Sequence, residues 1–245
     1  MHPLSALELL DVWERGRDKN PVDQAILTLL AACPETSEEE ILGLSIGERD
    51  KYLLILREWA FGSQFVGLAS CPGCGENLEL NFSTEDLLQK TDKSTHEMEP
   101  KINIDNFEIS FRLPNSQDML DLMDCMDISS AEQQLAKKCI LESRHEGKEI
   151  STKQVPEYLL GTVANRMTEL DPLADIQIEL ACPSCDFHWS VTFDIISYFW
   201  TEVNAWAYRV LSEVHTIASA YGWREVDILA MSPLRRQLYL EMIGK

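Results

Sequence analysis

The chain has 245 residues, 45% of them hydrophobic, and its Lys+Arg 21 against Asp+Glu 41 leave a net charge of −20. That length holds one large domain or a domain carrying an insert, and the acidity argues against nucleic acid or an anionic membrane as the main partner, because affinity for either rests on clustered Lys and Arg. No stretch approaches the ~18 apolar residues of a membrane span, and MHPLSALELLDVWERG lacks the basic start and apolar run of a signal peptide; a cytoplasmic protein without membrane insertion is expected.

Residues 1–62 read as helices. Ser5 caps a helix that carries Leu7, Leu10 and Trp13 and stops at Gly16. Pro21 opens VDQAILTLLAAC, and Thr36 or Ser37 caps EEEILGL. Ser45-Ile46-Gly47-Glu48 is a capping box, in which the Ser and Glu side chains satisfy each other's orphan amides. Its helix runs through Tyr52, Leu53, Leu56 and Trp59.

At Gly62 the period changes. Residues 64–70 and 77–82 are short alternating runs on either side of CPGCG, the pattern of a hairpin tipped by a metal knuckle. A second hairpin follows later, with 175–181, then CPSC, then 187–193. Between them, 83–173 reads as an α/β insertion whose strands can share the ribbon's sheet. It starts with a short helix and QKTDKSTHEMEPK, a polar loop expected to be mobile. Strands at 102–105 and 107–113 come next, then helices over Ser116–Met126, Ser130–Ser143 and Pro156–Glu169. From Asp194, apolar residues keep a three-four spacing as far as Gly222, which predicts one long helix. Ser232-Pro233 opens a closing helix.

Four of the seven cysteines form the two CxxC pairs. A structural zinc takes four thiolate or imidazole ligands in a tetrahedron, and one knuckle supplies two of them from a tight turn. Cys71, Cys74, Cys182 and Cys185 are therefore the expected ligands of a single Zn2+. A redox dithiol is the competing reading, but a thioredoxin-type CxxC opens a helix, whereas each pair here runs into a strand. His188 is better placed as a surface or packing residue than as a substitute ligand. Cys33, Cys125 and Cys139 lie on apolar helical faces as small core residues. Met119, Met123 and Met126 either fill a core or line an adaptable groove, with the core favoured. The chain has no HExxH and no phosphate-cradling glycine loop, so it does not read as an enzyme.

Residues 40–53, EILGLSIGERDKYL, align without gaps to 227–240, DILAMSPLRRQLYL. Ile41/Ile228, Leu42/Leu229, Ser45/Ser232, Arg49/Arg236, Tyr52/Tyr239 and Leu53/Leu240 are identical. Either capped helix-turn-helix segments simply look alike, or the two are equivalent docking elements. On the second reading Tyr52, Arg49, Trp223, Arg235, Arg236 and Tyr239 are candidate partner-binding residues.

LSIGERDKYLLILREWAFGSQFVGLASCPGCGENLEL, together with ADIQIELACPSCDFHWSV and YGWREVDILAMSPLRRQLYLEMI, resembles T-even-type phage baseplate proteins. These are similar to the hub assembly factors of contractile phage tails and phage-tail-like injection systems. The resemblance implies the four cysteines as ligands and marks His215, Tyr221, Trp223, Ser232, Arg235 and Arg236 as family-pattern positions without an assigned role. It also implies hub, tube or tape-measure proteins as partners, met during assembly or in the finished particle.

The expected fold is α+β: helices over 1–62, a zinc ribbon-like β core from 63–82 plus 174–193, an insertion over 83–173, and helices over 194–245. The expected function is a non-enzymatic baseplate component or assembly factor. A zinc-ribbon nucleic-acid-binding regulator is the alternative, and the charge opposes it.

Overall fold

The computed structural model describes residues 1–89, 99–123, 125 and 127–244. Most of the loop expected to be mobile, and the Met126 end of the helix expected from Ser116, lie outside the described residues. The chain is mixed α/β and divides into two compact units, residues 1–38 with 195–245 and residues 39–194.

The first unit is helical and is built from chain segments far apart in sequence. Helices α1 (Ala6–Gly16) and α2 (Pro21–Ala32) pack with α9 (Ile195–Tyr221), α10 (Glu225–Leu229) and α11 (Pro233–Ile243). Ser5 and Glu8 form a full capping box on α1, and Asn20 with Pro21 opens α2. The long helix buries most of the expected stripe, Ile196, Phe199, Val203, Ala207, Val210, Val214 and Ile217, while Trp200 and Trp206 are half-buried and Tyr221 is exposed. Trp13 is buried against it and donates Nε1–H to Asn204 Oδ1 at 2.9 Å. Gly16 is required by packing, because a Cβ there would lie 2.4 Å from Cη2 of Trp200.

The second unit begins within α3 (Glu38–Gly43) and continues with α4 (Ile46–Phe61), then hairpin β1–β2 (Gln64–Ser70, Asn77–Ser83) and α5 (Thr84–Leu88). Strands β3 (Lys101–Ile104) and β4 (Phe107–Phe111) follow, then α6 (Ser116–Leu122), α7 (Ile128–Cys139), β5 (Ile140–His145), β6 (Lys148–Glu149) and α8 (Glu157–Leu170). Hairpin β7–β8 (Ile176–Ala181, His188–Phe193) closes the unit.

Three expectations for residues 83–173 need correction. The strands here form their own four-stranded sheet, β3-β4-β5-β6, and do not extend either hairpin. The helix expected over Ser130–Ser143 ends at Cys139, and the chain passes directly into β5, which pairs antiparallel with β4. The reason is burial plus a turn: Ile140 and Ser143 are buried on the sheet, and Glu146-Gly147 adopts positive φ at both positions, the conformation of a tight hairpin turn. Lastly, Met119 and Met123 are exposed. The buried face of α6 is polar, with Ser116 accepting from Arg49 and Asp118 accepting two bonds from Arg112 at 2.5 and 2.8 Å.

Around this sheet Ile109, Phe111, Leu159, Leu160 and Val163 make a core with Cys139, which is inaccessible to solvent. Burial pushes the Cys139 thiol up to about 11, with the Asp118 charge adding to it, so this cysteine packs as a neutral group. Cys33 and Cys125 are half-buried.

The sequence echo is a repeated local structure, with one copy in each unit. Ser45 and Ser232 both cap a helix by accepting the amide of the third residue beyond them, Glu48 and Arg235. Arg49 and Arg236 follow one turn later, and both are buried, at 4% and 3% exposure. Each is held by a carboxylate of its own unit, Asp50 at 2.7 Å and Glu213 at 2.8 Å.

Candidate metal centre

The two hairpins correspond position by position at a constant sequence offset. In the first, the less exposed face pairs Phe65 with Phe82, Gly67 with Leu80 and Ala69 with Leu78. In the second, the corresponding pairs are Ile176 with Phe193, Ile178 with Val191 and Leu180 with Trp189. Alternation along a strand sends successive side chains to opposite faces, so the odd positions of β1 and the even positions of β7 each line one surface. The hairpins meet through aromatic rings: Phe193 stands edge-on to Phe65 at 5.4 Å and to Phe82 at 5.2 Å. The Arg57 guanidinium lies 4.0 Å over the Phe65 ring and donates to the Gly62 carbonyl at 2.6 Å.

At the other end the turns have matching backbones. Cys71 N–H donates to the Glu76 carbonyl at 2.8 Å and Gly75 N–H to the Cys71 carbonyl at 2.9 Å. In the second turn Cys182 N–H donates to Phe187 and Asp186 N–H to Cys182, both at 2.9 Å. The residue after each pair has positive φ, Gly75 at 78° and Asp186 at 54°. Glycine has no Cβ penalty there, and aspartate is among the side chains that tolerate it. The first cysteine of each pair is buried and the second exposed.

The turns bring the four sulfurs together crosswise. Cys71 Sγ lies 3.6 Å from Cys185 Sγ, and Cys74 Sγ lies 3.6 Å from Cys182 Sγ. All four lie within 4.8 Å of one another. A cystine needs sulfurs ~2.05 Å apart, and all four cysteines are free. A tetrahedral site with metal–sulfur bonds of ~2.3 Å sets its sulfurs ~3.8 Å apart, close to the 3.6 Å of the two crosswise pairs. The donor set therefore fits a thiophilic divalent cation.

Backbone amides reach into the cluster, and its surroundings pull Cys182 and Cys185 in opposite directions. The Gly73 amide points at Cys71 Sγ at 3.4 Å. For Cys182, burial raises the pKa but is outweighed by the Ser184 and Cys185 amides and the neighbouring sulfurs, which bring it to about 7. Cys185 goes the other way: the Phe187 amide favours its thiolate, yet the bond with Cys74, burial and the other sulfurs push it up to about 12. Four thiolates at this spacing repel one another, and a bound cation would remove that conflict.

Phe187 and the Phe65/Phe82/Phe193 cluster were not singled out by the sequence. Phe187 covers the first knuckle, so that a Cβ on Gly73 would lie 3.2 Å from its Cβ and Cγ. The signal was present as the fixed offset that relates both hairpins. His188 is exposed and pairs with Ala181 across the strands.

The candidate partner-binding residues fall into two groups. Arg49 and Arg236 are buried in ion pairs. Tyr52 is 37% exposed, and Arg235 is exposed with its guanidinium 5.8 Å from the Tyr239 ring. Trp223 and Tyr239 are half-buried and meet edge-to-face at 4.9 Å, with Tyr221 stacked on Trp223 at 4.7 Å.

A family model described as T4 bacteriophage base plate protein matches residues 5–200, which takes in both knuckles. No curated protein and no solved structure gives a significant match. Among the described residues, no helix is long and apolar enough to cross a membrane.

Proposed function

Since the chain belongs to the T4 bacteriophage base plate protein family, we propose that it is a non-enzymatic baseplate component or assembly factor of a contractile phage tail or tail-like injection system. On this reading Cys71, Cys74, Cys182 and Cys185 hold a structural Zn2+. The observation that carries the metal is the crosswise set of four sulfurs within 4.8 Å of one another. Four protein ligands leave a bound zinc no open coordination position, so it supplies folding energy rather than a reactive water.

The metal would pin a core of residues 63–82 and 174–193, with 83–173 as an insertion carried on it. The work of such a protein is binding. Its excess of carboxylates suits basic patches on other tail proteins, and the exposed Tyr52, Arg235 and neighbouring Trp223 and Tyr239 offer contacts of the kind that dominate interfaces. The protein would meet its hub, tube or tape-measure partners in the cytoplasm, where tails are built, and either stay in the particle or leave it.

The test is affinity capture of the tagged protein from cells expressing the complete tail gene cluster, with metal content measured on the same sample. Stoichiometric zinc together with a hub, tube or tape-measure protein is the expected result. Zinc-loaded protein that captures no tail component would sink the assembly reading, and metal-free folded protein would sink the zinc clamp.

A further inference from the structure

We propose that a groove in the helical unit, formed by α1, the end of α2 and the start of α10, receives an amphipathic helix from a partner protein, its apolar stripe flanked by Lys and Arg. The groove has a volume of about 680 Å³. Its floor is apolar: Leu10 is buried, Leu30 half-buried, and Leu7 51% exposed beside the exposed Pro34. A leucine half open to water next to a proline and a second leucine is surface that a partner's apolar side chains would cover with gain.

The rim identifies the occupant. Glu8, Asp11 and Glu14 recur at helical spacing along α1, and Glu225 stands on α10. The single cation among the lining residues, Arg15, is held by Asp11 at 3.2 Å. Such a rim repels anionic ligands and lipid headgroups, and it rewards a cation placed beside an apolar side chain. A helix laid in a groove meets both demands, with apolar residues at i, i+3, i+4 and i+7 pointing down and basic residues on either flank. A second copy of this chain is a poorer fit, since it carries the same net charge of −20.

The inference rests on the reading of the protein as an assembly component, because it assumes a protein partner. It is tested on the zinc-loaded full chain by fluorescence anisotropy with a labelled model peptide bearing leucines at helical spacing flanked by lysines. Two control peptides replace the lysines by glutamates or scramble the leucine period at constant charge. The leucine–lysine peptide should bind, and both controls should bind at least roughly tenfold more weakly. Leu7→Ser, and separately Glu14→Lys with Glu225→Lys, should each weaken binding by about tenfold. Glu79→Lys and Glu108→Lys, on exposed strand positions of the other unit, should leave it within about twofold.

Equal binding of the scrambled peptide, or equal loss from the strand variants, would show unspecific charge attraction and overturn the proposal. So would sedimentation showing that the chain self-associates through Leu7. Capture of tail components by a groove variant as well as by the original protein defeats the groove alone. Peptide binding by a protein that captures no tail component defeats the baseplate reading alone.

Discussion

The two CxxC hairpins use different residues to make the same shape. Their turns agree hydrogen bond for hydrogen bond, although the residue after the pair is glycine in one and aspartate in the other. Their strands agree in register but not in bulk: Phe65, Gly67 and Ala69 in the first stand where the second has Ile176, Ile178 and Leu180. Where ligand geometry dictates the backbone, side chains vary only within the conformation allowed. Where packing alone acts, volume is free to be distributed between the partners. Four experiments break or sharpen this contrast.

The largest effect belongs to the turns. Cys71→Ser and Cys182→Ser remove the buried sulfur of each pair, and Cys74→Ser and Cys185→Ser the exposed one. If one ion joins both turns, every one of the four should abolish stoichiometric zinc and expose the amides of both hairpins to hydrogen exchange. Exchange confined to the mutated hairpin would separate them. Next comes the ring cluster: Phe65, with no solvent exposure, should cost ~3–5 kcal/mol as Phe65→Ala, measured by urea unfolding of the zinc-loaded protein. Ile176→Val, at the matching position, should cost only ~0.5–1.5 kcal/mol.

Third, Ser83 closes the first hairpin, whereas the matching position after the second is Asp194, which adds a negative charge near Asp50. Burial chiefly raises Asp50 to about 6; Arg49 opposes this, while Asp194 and Asp171 add to it. A carboxyl raised in the folded state favours folding below its ordinary pKa of 3.8, and that advantage is lost as pH climbs through about 6. The stability of the original protein relative to Asp50→Asn should therefore fall by up to about 3 kcal/mol between pH 4 and 7. A flat difference would mean Arg49 neutralises Asp50 fully. The smallest effect compares Gly73→Ala with Ser184→Ala. The first forces a methyl against Phe187 and should cost ~1–3 kcal/mol; the second sits at the matching place and should stay within ~0.5 kcal/mol.

The helices were legible because their punctuation is local. Ser5, Pro21, Ser45 and Ser232-Pro233 all stand at helix starts. The cysteine cluster was legible for a different reason, since paired CxxC turns restrict the chemistry even when distant in sequence. What stayed hidden depends on partners. Ile140-Leu-Glu-Ser-Arg-His145 continues a helical pattern until β4 offers it a ladder. The polar inner face of α6 makes sense only once Arg49 and Arg112 are known to reach it. The arginines of the echo look like docking residues in sequence, and only their ion pairs reveal them as internal struts.

The helical unit draws on residues 1–38 and 195–245, which has a consequence for the order in which the nascent protein matures. On the ribosome, α1 and α2 must wait for the whole of residues 39–194 before α9 can cover them. At ~5–20 residues per second this delay is on the order of ten to thirty seconds. The cysteine turns mature on nearly the same clock, because Cys185 is synthesised just before α9 begins. Both units thus acquire their missing halves at one late moment of translation.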